Sequence, residues 1–188
     1  MEGWALSVSV FALLVALAGT VLSNKRAKES RTIAREALED SRQMRTDAVW
    51  SAAVEAVNRV YGVNPLRQDV QLPFQNLRVA WIALVDGLPN WSGLDGWLAA
   101  EHSHGAAIAR EILVRATAKP PTSEDEHMAL LQPHLDWGIA LSGNLRHLRA
   151  NGYDAEALLT LRDNARKNLE AIYERNRWDL PENSLKPL

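Results

Sequence analysis

Apolar residues run without a charge from Gly3 to Leu22, and beyond that they recur only as single stripes at helical spacing. About 20 apolar residues in a helix rise roughly 30 Å, the thickness of the hydrocarbon core, so the first run predicts a transmembrane span. Each later stripe predicts a helix with one face to bury.

From Asn24 to Tyr61 neither proline nor glycine interrupts a chain of good helix formers, with Ile33, Ala37, Leu38, Met44, Ala48, Ala52, Ala56 and Val60 on an irregular apolar face. This predicts one long helix continuous with the span. Its first half is a solvated neck, in which Lys25 and Glu29, then Arg35 and Glu39, stand four residues apart. Gly62-Val63-Asn64-Pro65 ends it.

Pro73 then opens a short apolar helix closed by Gly87 and Pro89, and Asp95 is placed to N-cap a helix running through Trp97, Ile108, Ile112 and Leu113 to Thr117. Ser123 with Glu126 has the form of a capping box for a short helix ending near Pro133. Another helix follows from Pro133 to Ala150, with His134, Trp137, Leu141, Leu145 and Leu148 on one stripe and Asn151-Gly152 at its end. Asp154 caps the last helix, whose stripe is Leu158, Leu161, Ala165, Leu169 and Ile172. No stretch alternates as a strand would. The expected fold is all-α: an anchor over residues 1–23, a charged juxtamembrane helix over 24–61, a compact bundle of about five helices over 62–176, and a tail over 177–188.

A secretory signal has a basic start and an apolar core of about 7 to 15 residues. Here the start, Met1-Glu2-Gly3, is acidic and the run is longer, although Ala16-Leu17-Ala18 has the form of a cleavage site and leaves a secreted module released after Ala18 as an alternative. Lys25, Arg26, Lys28, Arg31 and Arg35 all follow the span and nothing basic precedes it, which orients the N-terminus outward and the bundle to the cytoplasm of an inner, or cell, membrane. The same cluster suits anionic lipid headgroups. Inside the span, Ala5, Ser9, Ala12, Ala16, Gly19 and Ser23 follow one another at intervals of 4, 3, 4, 3 and 4. Such a stripe is a seam for a homodimer or a partner's helix, or an accident of a span rich in small residues.

Composition narrows the function. The formal charge of -2 over 188 residues supplies no field for nucleic acid. The absence of cysteine excludes disulfides, thiolate metal sites and cysteine nucleophiles. Arginine outnumbers lysine 16 to 5, a bias associated with GC-rich bacterial coding.

The string most like a metal site is Glu101-His102-Ser103-His104, but residues two apart on a helix lie about 200° apart, so His102 and His104 cannot share an ion from that element. A site between helices, with His102 or His104 joined by Asp136 or His147, is the catalytic alternative. Asp86 to Trp97 fits no EF-hand register. No phosphate loop, nucleophile elbow or dinucleotide fingerprint occurs. No cofactor and no catalytic or metal residue is assigned, and the chain is expected not to be an enzyme.

Seven tryptophans stand out. Trp91, between Pro89 and Gly93, either folds back over the bundle or stays exposed as a contact. The expectation is a single-pass membrane protein whose bundle holds a partner protein at the cytoplasmic face, with Trp91, Trp97 and Trp178 as the candidate contacts.

Overall fold

The computed structural model describes the backbone of residues 2–180 and the side chains of residues 28–180. Among the described residues there are five helices and no strand: α1 Glu2–Tyr61, α2 Gln71–Gly87, α3 Leu94–Ala118, α4 Glu124–Asn151 and α5 Ala155–Asn176. The all-helical class and the compact bundle agree with the sequence. Among the described residues no helix is long and apolar enough to cross a membrane. The predicted span, its stripe from Ala5 to Ser23, and Lys25 and Arg26 lie outside the described side chains.

The chain divides into two units, Met1–Arg45 and Thr46–Leu188. In the first, every described side chain is exposed, including Ile33, Leu38 and Met44, and Arg35 pairs with Glu39 at 3.8 Å as their spacing predicts. The second unit holds the packed core. Trp50, Ala53, Val57 and Val60 bury the last turns of α1, and Phe74, Leu77, Trp81 and Leu84 bury one face of α2. Each fully buried large side chain contributes roughly 1.5–3 kcal/mol by leaving water.

Helix α3 packs against α2, α4 and α5. Its small residues make that possible. Gly105 lies so close to the Trp137 indole of α4 that a Cβ would overlap the ring, and Gly138 of α4 meets the Tyr61 ring of α1 in the same way.

Three boundaries differ from expectation. The two helices predicted on either side of Pro133 are one, α4, with Pro133 inside it. An interior proline costs about 3 kcal/mol, but Pro133 and Ala129, whose carbonyl loses its partner, are both exposed, while Leu131 and His134 are buried to either side. The packed face therefore carries the helix through. Helix α2 starts at Gln71, so Pro73 sits within the first turn, where a missing N–H removes no helical bond. Gly93 rather than Asp95 is the N-cap of α3, at φ 89°, and Asp95 lies in the first turn against the positive end of the helix dipole.

The predicted tail begins with a tied segment. Arg177 takes a left-handed conformation, Arg177 N donates to Glu174 O and Trp178 N to Tyr173 O, and the Trp178 ring stands edge-on to Tyr173 at 5.6 Å. These are the bonds and the apolar contact of a Schellman closure. The caps at Ser123, Gly152 and Asp154 are as predicted: Ser123 Oγ accepts from Glu126 N, Gly152 ends α4 at φ 84°, and Asp154 accepts from Glu156 N and Ala157 N.

Candidate functional site

Trp97 is fully buried and offers no surface to a partner, which corrects the expectation for it. The apolar stripe of α3 holds it inward. Trp91 is half-buried: its ring stands edge-on to Trp50 at 5.3 Å and tilted against Tyr153 at 5.7 Å, so the loop folds back onto the core. Trp178 is also half-buried, with the Arg110 guanidinium 4.1 Å above its ring. Lys28, Arg31 and Arg35 are exposed. The three tryptophans do not form one surface.

What Trp97 does instead is hydrogen-bond. Its Nε1 donates to Glu101 Oε1 at 3.1 Å, and Trp137 Nε1 of α4 donates to Oε2 at 3.0 Å, so a carboxylate only 8% exposed joins two helices through two indoles. A buried carboxylate costs several kcal/mol unless such donors replace water. His104, one turn on, places Nδ1 3.7 Å from Glu101 Oε2, and that nitrogen is buried with no hydrogen-bond partner.

Glu101, His104 and Trp137 lie in a groove of about 440 Å³ between α3, α4 and α5, with Asp136 and Asn144 on one wall and Asn164 and Asn168 on the other. Thus His104 and Asp136, two of the residues considered for a site between helices, do share a site, while His147 lines a different groove and His102 faces α2. Among the described residues no cluster of three or more histidine or acidic side chains is placed to hold a metal ion. At the groove's edge Arg175 donates to both oxygens of Glu111, which also accepts from Asn176 Nδ2 and Arg115 Nη2 at 2.9 Å. Burial alone would raise the Glu111 carboxyl, but the bonds from Arg175 and Asn176, with the charges of Arg175 and Arg115, hold it below its ordinary value.

Three other histidines bond to α1, α2 and the link between them. His134 Nε2 lies 3.1 Å from Val60 O, His102 Nε2 lies 3.2 Å from Phe74 O, and Asn64 Nδ2 donates to His127 Nε2 at 2.9 Å. A carbonyl only accepts, so His134 and His102 carry their protons on Nε2. Desolvation lowers both rings below the ordinary imidazole value, against the carbonyl bonds that raise them; the Arg78 charge lowers His102 further.

A second groove, about 780 Å³, runs between the end of α1 and α2 and is lined by Ala52, Ala56, Leu72, Pro73 and Ala80 together with polar side chains such as Glu55, Asn58 and Asn76. Leu72, Val79 and Ile82 stand on the side of α2 opposite its buried stripe and remain 61%, 66% and 39% exposed. An expectation of one stripe per helix leaves this second face out. The spacing of Leu72, Val79 and Ile82, seven and then three residues, was the available signal. Glu101 had only a local signal, the four-residue spacing to Trp97; its second donor lies on another helix.

No family model, no curated protein and no solved structure matches this chain.

Proposed function

We propose that this is a single-pass membrane protein whose helical bundle works at the cytoplasmic face by binding a partner protein and holding it at the membrane. Support for the anchor comes from the sequence: the uncharged run from Gly3 to Leu22, long enough to span, and the basic cluster that follows it.

The observation that carries the binding role is the second apolar face of α2. The open side of α2 keeps Leu72, Val79 and Ile82 in solvent among the polar Gln75, Asn76 and Asp86. Single exposed apolar residues are unremarkable; a row of them beside a groove walled by alanines is a seat for an amphipathic helix. The alanines let a second backbone approach closely, and Leu72 and Val79 would be its anchors.

The test is in-cell cross-linking of the full-length protein beside a Leu72→Glu, Val79→Glu double variant. Both positions are exposed, so the variant keeps its melting temperature and loses the cross-linked partner. A partner retained at wild-type yield would remove α2 from the interface. Topology is read separately with Ser51→Cys, an exposed position that resists a membrane-impermeant maleimide in intact cells and reacts after lysis. Labelling of intact cells would overturn the cytoplasmic placement.

A further inference from the structure

The groove between α3, α4 and α5 sets several polar side chains into an otherwise apolar lining. Buried polar groups in helical bundles normally have partners, and here the floor holds a carboxylate already fixed by two indoles and an imidazole nitrogen with none. Of the two neutral tautomers of His104, the one with the proton on Nδ1 points an N–H at the Glu101 carboxylate, and the other points a lone pair at it. The first is favoured electrostatically. In that tautomer Nε2 of this groove-lining ring is left as an acceptor.

The rest of the lining is mixed, with Ile108, Leu141, Leu161 and Ile172 forming an apolar part and the polar groups there being mainly acceptors. Asp136 has one oxygen engaged, by Gln132 Nε2 at 2.7 Å, and Asn144, Asn164 and Asn168 each bring an amide carbonyl. The guanidinium at the edge, Arg175, is taken by Glu111. An anionic ligand would therefore meet two carboxylates and no free cation, whereas an ammonium group would meet acceptors on both walls. The size falls within the range of small-molecule sites.

We propose that this groove binds a small organic molecule through a primary ammonium group, with His104 Nε2 and Asp136 as its acceptors and the asparagines orienting the remainder. This site is separate from the α2 face, and either assignment can fail alone.

The experiment uses full-length protein in detergent micelles, observed by NMR at the histidine rings and indole N–H groups. The probes are 1,5-diaminopentane and glucosamine, with 1,5-pentanediol and N-acetylglucosamine as uncharged counterparts. The amines shift His104 and the Trp137 indole saturably at millimolar concentration, and the uncharged counterparts do not. Asp136→Asn, at an exposed position, raises the half-saturating concentration about tenfold, and Asn168→Ala raises it less. Equal shifts from amines and uncharged counterparts, no saturation, or an unchanged titration in Asp136→Asn would each overturn the assignment.

Discussion

Trp137 Nε1 donates to Glu101 Oε2 across 36 residues of chain, so one buried carboxylate ties α4 to α3 while Trp97 holds its other oxygen. Replacing Glu101 with Gln leaves one carbonyl oxygen for two indoles and turns an NH₂ toward the second. The expected loss is about 2–4 kcal/mol in urea denaturation, because charged hydrogen bonds go and a buried N–H is orphaned. Trp137→Phe removes one bond and part of a ring and should cost about 1.5–3 kcal/mol. A Glu101→Gln variant with an unchanged midpoint would mean that the carboxylate does not hold the two helices.

Acid should weaken the bundle before its carboxylates titrate. His102 and His134 are held below the ordinary imidazole value of 6.5, chiefly by burial. Below pH 6.5 the unfolded chain takes up protons that the folded rings refuse, so stability falls as pH drops and levels off once the folded rings titrate. Each ring contributes at most about 1.4 kcal/mol per pH unit. Glu111 acts lower: its depressed carboxyl stabilises the fold above its ordinary value of 4.5, and that contribution is lost as pH falls through the folded value. Urea midpoints at several pH values above 5 should fall with pH in the wild type and fall less steeply in His134→Gln, which also lowers the midpoint at neutral pH. Parallel slopes would show that His134 is not the responsible group.

Two glycines should answer the same substitution with opposite signs. At Gly105 a methyl group overlaps the Trp137 indole, and at Gly143, exposed on α4, it meets nothing within 4 Å. Gly105→Ala therefore destabilises by about 1–3 kcal/mol or more through overpacking. Gly143→Ala stabilises by about 0.5–1 kcal/mol through helix propensity. Thermal melts of the two variants should move apart, and a neutral Gly105→Ala would show that the α3 and α4 helices can separate at little cost.

Much of the fold was legible locally. Ser123 and Asp154 announce their helices because a cap is a bond between neighbours in sequence, and Asn151-Gly152 announces an end because a left-handed residue is a local demand. Pro133 misled the same local logic. The proline does remove a bond, but whether a helix ends there depends on what lies against Leu131 and His134, which is not a local quantity.

The candidate site was legible only in fragments. Glu101, His104 and Asp136 could each be noticed, and His104 with Asp136 could be suspected, but the asparagines of α5 carried no signal until the groove put them opposite. Sequence alone determined the helical class, the stripes, most of the caps and the chemistry excluded by composition, because these follow from periodicity, from bonds between neighbours and from the residues present. Tertiary structure decided which indoles reach Glu101, which carbonyls the histidines hold and which face of α2 stays open. Those outcomes turn on contacts between residues tens of positions apart, whose distances are set by how the helices pack.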